Sequence, residues 1–197
     1  AAAFQPVRVL ATGGDVVVSD GSFRVVRRID LATGTQSVVA GNGSVTIPDL
    51  GVQASTTSLY SPQDVVADSS GNLYIADSLA NRVYKVATNG LITAVAGTGS
   101  YGNSGDGGPA TSATLKRPTG LAFDTAGNLF IADRDDNRVR RVATNGNIST
   151  VAGTGSAGFS GDGGSATLAQ LDRPTDVAVT SGGTLLIADS ENNRIRA

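Results

Sequence analysis

The chain has 197 residues, 40% of them hydrophobic, with a formal net charge of −2 and a pI near 5.0. It is long enough for a packed core and too acidic for a phosphate backbone, which calls for clustered Lys and Arg, so no nucleic-acid partner is expected. It contains no Cys, no His and no Met, which excludes disulfides, thiolate metal sites and the commonest general base. No run approaches the roughly 18 apolar residues of a membrane span, so no membrane insertion is expected. A chain without Met is expected to be processed or cut, and the start Ala1-Ala2-Ala3 is compatible with signal-peptide removal.

The 26 Gly and 6 Pro lie among short apolar runs, the composition of many short strands joined by tight turns: an all-β fold. These runs recur at a fixed spacing. Pro62, Pro118 and Pro174 are 56 residues apart, and so are Asp77, Asp133 and Asp189, then Asn81, Asn137 and Asn193. An unbroken period of this length means tandem structural units. The first unit, residues 1–58, is the most divergent. Pro6 matches Pro62 and Gly41 matches Gly97 at 56, but Asp20 lies 57 before Asp77 and Arg24 lies 58 before Arg82, so small compensating changes are expected in its loops. Units 59–114 and 115–170 align without a gap, and residues 171–197 supply the start of a fourth.

In the third unit the apolar runs are Gly120 to Asp124, Asn128 to Asp133, Arg138 to Ala143 and Ile148 to Gly153, separated by turns rich in Asn and Gly. They predict four antiparallel strands, A to D, joined by hairpins. A helix over Asn72 to Asn89 is the competing reading. It fails in the third unit, where the place of Leu79 is taken by Asp135 beside Asp136. Strand B, Asn72 to Asp77, is apolar on both faces, so each sheet is covered on both sides. Radially stacked four-stranded blades explain that pattern: a β-propeller with about four blades, the last having strands A to C only.

The blocks PTGLAFDTAGNLFIADRDDNRVRRV and PQDVVADSSGNLYIADSLANRVYKV resemble the NHL-repeat family of β-propellers. The linking block ITAVAGTGSYGNSGDGGPATSATL is similar to the long-repeat variety of secreted bacterial NHL proteins and of the propeller region of teneurin-like cell-surface proteins. The resemblance covers essentially the whole chain. It implies a secreted or cell-surface module, extracellular or periplasmic, that acts as a scaffold or binds a protein or glycan partner through its loop-rich face. Further blades from the same or another chain are the other partner it implies, because the 197 residues are not expected to close a ring alone. Resembling propeller enzymes rely on His, which this chain lacks, so no catalytic residue, cofactor or metal is expected. The alternative is a Ca²⁺-dependent hydrolase or lyase with an Asp- and Asn-lined central site.

Strand parity puts the B–C turns and the D–A connections on one face. The connections carry Ser104-Gly105-Asp106-Gly107-Gly108 and Ser160-Gly161-Asp162-Gly163-Gly164. Such turns can converge N–H groups on an anion or carbonyl, and their Asp can join a Ca²⁺ site. Ser104, Asp106, Gly107, Ser160, Asp162 and Gly163, with Asp135 and Asp136 of a B–C turn, are therefore the candidate contacts. The plainer expectation is that Asp106 and Asp162 bond their own loop backbone as Asx-turns. Asp77 with Arg82, Asp133 with Arg138 and Asp189 with Arg194 are expected to pair and close the B–C turns.

Overall fold

A computed structural model describes residues 6–197. Residues 1–5, including the stretch from Ala3 that aligns with the tail of a connection, lie outside them. Blade 1 holds β1 (Pro6–Thr12), β2 (Asp15–Asp20), β3 (Val25–Asp30) and β4 (Gln36–Ala40). Blade 2 holds β5 (Pro62–Ala67), β6 (Leu73–Asp77), β7 (Arg82–Val86) and β8 (Ile92–Ala96). Blade 3 holds β9 (Pro118–Phe123), β10 (Leu129–Asp133), β11 (Arg138–Val142) and β12 (Ile148–Ala152). Blade 4 holds β13 (Pro174–Val179), β14 (Leu185–Asp189) and β15 (Arg194–Arg196). Every sheet is an antiparallel meander in chain order, three of four strands and one of three.

The turn residues explain why the hairpins form. In the A–B turns the Asp68 carboxylate accepts the N–H groups of Ser70 and Asn72, and Asp124 does the same for Ala126 and Asn128, so each turn is closed by its own Asp. In the B–C turns Asn81, Asn137 and Asn193 adopt the left-handed conformation with φ of 51 to 53°, which Asn tolerates better than other side chains.

The drift in unit one resolves into two single-residue changes. Blade 1 closes its A–B turn with Gly13 and Gly14 between Thr12 and Asp15, one residue fewer than blade 2 uses. It regains that residue in the β3–β4 turn, where Asp30 bonds Thr35 while Ala87 bonds Leu91. The expected match of Arg24 with Arg82 is corrected: Arg24, at φ 58°, occupies the left-handed place of Asn81, and its carbonyl faces Gly41 as that of Asn81 faces Gly97.

The core lies between blades. Val26 and Ala40 of blade 1 pack with Leu59 and Val65 of blade 2, Val83 and Ala96 with Leu115 and Leu121, and Val139 and Ala152 with Leu171 and Val177. Strands apolar on both faces are what this stacking requires.

Candidate functional site

The inner strands carry a charged ring at one repeat position. Two residues beyond each leading Pro stand Arg8, Asp64, Gly120 and Asp176. In each blade the pairing of the first strand with the second shifts register at this point, and a bulge of this kind re-aims the residue it carries. The Arg8 guanidinium donates to both oxygens of Asp176, at 2.5 and 3.1 Å, and its Nε lies 3.2 Å from Asp64. Asp64 also accepts the N–H groups of Val65 and Leu121 at 2.7 and 2.8 Å. Gly120 contributes space. A Cβ there would meet the Asp176 Cα at 2.5 Å, so only Gly allows β9 and β13 to approach this closely.

Above the ring opens a cavity of about 520 Å³ lined from all four blades. Its rim includes Ser78 and Leu79 of the blade 2 B–C turn, Arg134 of the blade 3 B–C turn, and Arg117 at the end of a connection. Asp135 tethers this rim, 3.6 Å from Arg117 Nε and 3.4 Å from Arg134, while accepting the Tyr101 hydroxyl at 3.3 Å. Asp135 also lines an adjoining hollow of about 390 Å³ with Tyr101, Asp172, Arg173 and Glu191. The neighbouring candidate Asp136 faces inward instead, buried between Lys116 at 2.9 Å and Arg138 at 2.6 Å.

The glycine-rich candidates lie elsewhere. The connection leaving β8 runs along the outer edge of blade 3, where Gly107 N–H donates to Ile148 and Ile148 N–H donates to Gly108. Ser104 bonds the Thr114 hydroxyl, and Ser160 bonds Gln170. Gly163 has φ 77° and leaves open space around a would-be Cβ. The Asx-turn expectation for Asp106 and Asp162 is corrected: Asp106 accepts from Arg140 at 2.6 and 3.1 Å, and Asp162 from Arg196 at 2.6 Å. Neither Asp lines the mouth.

The turn pairs are corrected in the same way. Asp77, Asp133 and Asp189 are backbone partners of Arg82, Arg138 and Arg194; the charge of Arg82 acts on Asp77, but the cations that reach Asp133 and Asp189 come from two residues further on. Arg140 reaches Asp133 and Arg196 reaches Asp189, at 3.5 and 3.4 Å. Arg82 and Arg138 instead donate to the carbonyls of Thr98 and Thr154, and Arg194 lies over the Phe159 ring. A signal for these latches is present in the sequence. Asp106 occurs with Arg140 and Asp162 with Arg196, whereas Leu50 and Tyr84 occupy the corresponding places one repeat earlier. The channel ring also had a signal, charged residues at the 56-residue spacing inside otherwise apolar strands.

Blade 2 dispenses with the latch for a traceable reason. Asn81 and Asn137 accept the N–H groups of Arg117 and Arg173, drawing those residues to φ 54 and 47°. Blade 1 has Arg24 at the Asn place, so Ser61 N–H turns to Asp77 instead, joining Tyr60 N–H on the other oxygen at 2.7 and 2.8 Å. Asp77 is thus satisfied by the backbone and needs no Arg. Asp133 receives Lys116 N–H on one oxygen and Arg140 on the other.

Burial pushes the Asp133 carboxyl up to about 7, with the charge of Asp136 adding to the rise and the Lys116 N–H and Arg140 opposing it. Burial raises Asp77 and Asp64 as well. A carboxyl that holds its proton more tightly folded than unfolded stabilises the fold at low pH, and that contribution is lost as pH rises through the folded pKa. The lowered carboxyls of Asp68, Asp106 and Asp124 lose theirs only as pH falls below the ordinary carboxylate range. The denaturation midpoint is therefore expected to fall between about pH 5 and 8, and Asp133→Asn is expected to flatten that slope. A midpoint constant across this window in the parent protein would contradict it.

Residues 107–197 match the model of the teneurin NHL domain. Teneurin-1 of Mus musculus is 31% identical over 93% of the chain, which spans only 7% of that relative's length. Among solved structures, a protein of unknown function from Bacteroides thetaiotaomicron VPI-5482 superposes with a TM-score of 0.74 at 22% identity, over 92% of this chain and 43% of the other. A streptogramin B lyase superposes with a TM-score of 0.62 at 14% identity, over 96% and 50%. At these identities the two structures establish the fold alone, while the repeat motifs and the teneurin similarity extend along the sequence itself. The chain belongs to the NHL-repeat β-propeller family, in the long-repeat form similar to teneurin NHL domains.

Proposed function

We propose that this chain is a non-enzymatic, extracellular binding module of a cell-surface protein, and that it takes a protein or glycan partner at the channel mouth. The observation that carries the reading is the 520 Å³ cavity, to which all four blades contribute polar or charged groups. A concave site with a few convergent polar groups is the usual form of a binding site. The similarity to teneurin NHL domains supports the cell-surface setting. The Ca²⁺-dependent hydrolase reading has less support. Both ring carboxylates are engaged by Arg8, whereas Ca²⁺ takes six to eight oxygens, and among the described residues no cluster of three or more His, Cys, Asp or Glu is placed to hold a metal.

The test uses labelled protein on intact mouse cells, before and after protease or glycosidase treatment of the cells. Staining is expected to fall at least tenfold for the double variant Leu79→Asp with Arg134→Glu, whose sites line the rim. The enzyme that removes staining of the parent protein identifies the partner class. Equal staining by parent and variant would place binding away from the mouth.

A further inference from the structure

Blade 3 departs from its neighbours at the rim of the channel mouth. In blade 2 the residue after the leading Pro, Gln63, donates to the Ser61 hydroxyl at 2.8 Å, and in blade 4 the Thr175 hydroxyl pairs with that of Ser190. Thr119 holds this place in blade 3, but Arg117 stands where blade 2 has Ser61, and Arg134 stands where blades 2 and 4 have Ser78 and Ser190. Both small partners are gone. The Thr119 hydroxyl is buried with no hydrogen-bond partner among the described residues, in a residue that lines the cavity. The two guanidiniums are thinly engaged as well. Arg134 donates to Asp135 at 3.4 Å, and Arg117 lies 3.6 Å from the same carboxylate, so most of their N–H donors meet no acceptor among the described residues.

A buried hydroxyl without a partner costs free energy until a ligand or water supplies one. Beside it two cations share one carboxylate, while the ring carboxylates Asp64 and Asp176 are already held by Arg8. Arginine grips a carboxylate through paired N–H donors. The rest of the lining includes Ser61, Gln63, Ser78 and Thr175, with Leu79 its one aliphatic side chain among the described residues. Hydroxyl and amide groups suit the hydroxyls of a sugar, whereas the apolar side chains of a peptide would find little to pack on. We propose that the mouth takes a carboxylate-bearing sugar, a uronic or sialic acid residue of a glycan, and that Arg117, Arg134 and Thr119 bind its carboxylate. The proposal rests on the reading of the mouth as a binding site and narrows the partner to an acidic glycan. Its three residues belong to blade 3 and the connection before it, with a blade on either side.

The test is calorimetric titration with a glucuronate-containing tetrasaccharide, the same tetrasaccharide with its carboxyls reduced to alcohols, and a tetraglutamate peptide. The parent protein is expected to bind the acidic sugar, more weakly as salt rises, and to bind the reduced sugar about tenfold less well. Arg117→Ser and Arg134→Ser, which copy the residues of blade 2, and Thr119→Val are each expected to weaken binding of the acidic sugar about ten- to hundredfold, with unfolding midpoints near that of the parent. Equal affinity for the two sugars, a parent that binds neither, or an affinity that any of the three substitutions leaves unchanged would overturn the proposal. So would tighter binding of the peptide than of the sugar, which would make the partner an acidic protein. The reading of the mouth fails separately. Cell staining indifferent to Leu79→Asp with Arg134→Glu removes that reading, whereas staining lost in this variant with no binding of the acidic sugar removes only the acidic glycan.

Discussion

At about pH 8, where the Asp133 carboxyl is ionised, Arg140→Ala is expected to destabilise the protein by about 3–5 kcal/mol, because removing one member of a buried ion pair leaves its partner charge stranded. Arg140 is fully buried between Asp133, also fully buried, and the half-exposed Asp106. Its loss would strand the second oxygen of Asp133 and release the outer connection from blade 3. Asp106→Ala is expected to cost only about 1 kcal/mol, since water already screens that end of the pair. Arg140→Tyr copies the residue at the same place in blade 2. It is expected to recover packing volume but not full stability, because Asp133 lacks the second backbone N–H that serves Asp77. Denaturant unfolding of the three variants is the measurement. Equal losses for Arg140→Ala and Asp106→Ala would show that the buried end of the latch carries no special weight.

Gly153→Ala is expected to cost about 2–5 kcal/mol, the sum of strain in a left-handed backbone, about 1–2 kcal/mol, and of overpacking, about 1–3 kcal/mol. Gly153 has φ 89°, and a Cβ there would lie 2.2 Å from the Asn137 carbonyl oxygen and 3.0 Å from the Arg138 Cα. Both atoms belong to backbone and cannot step aside as a side chain could. Gly146→Ala separates the two contributions. Its φ is 84°, yet nothing lies within 4 Å of a would-be Cβ, so only the backbone strain applies. Denaturation midpoints measure both, and equal losses at the two sites would mean that the close approach to the B–C turn contributes nothing. A Cβ at Gly41 or Gly97 would meet the carbonyl oxygen of Arg24 or Asn81 at the same 2.2 Å. The contact is therefore a repeated joint between strand D and the B–C turn.

The architecture was legible in the sequence because it rests on short-range rules. Short apolar runs make strands, Asp and Asn with Gly make the turns between them, and a 56-residue repeat of such runs, apolar on both faces, can bury each sheet only by stacking. The divergence of unit one was legible as drift, but the place of Arg24 was not. The left-handed position of that turn holds an Arg where the other three blades have Asn, so residue type carried no signal of the match.

The site was much less legible. Composition excluded His and Cys chemistry, and Arg134 of the turn that contains Asp135 lines the mouth. The glycine-rich loops drew attention because their composition permits ligand binding. Backbone pairing with β12 and the buried Arg140 instead commit the first of them to the blade edge. The ring at the mouth joins Arg8 to Asp176 across 168 positions of sequence. A local pattern determines strands, turns and blades, because backbone geometry and burial act over a few residues. Which carboxylate meets which guanidinium is decided only once the blades stack, because a side-chain charge pair forms over a few ångströms of space and sequence separation does not measure that distance.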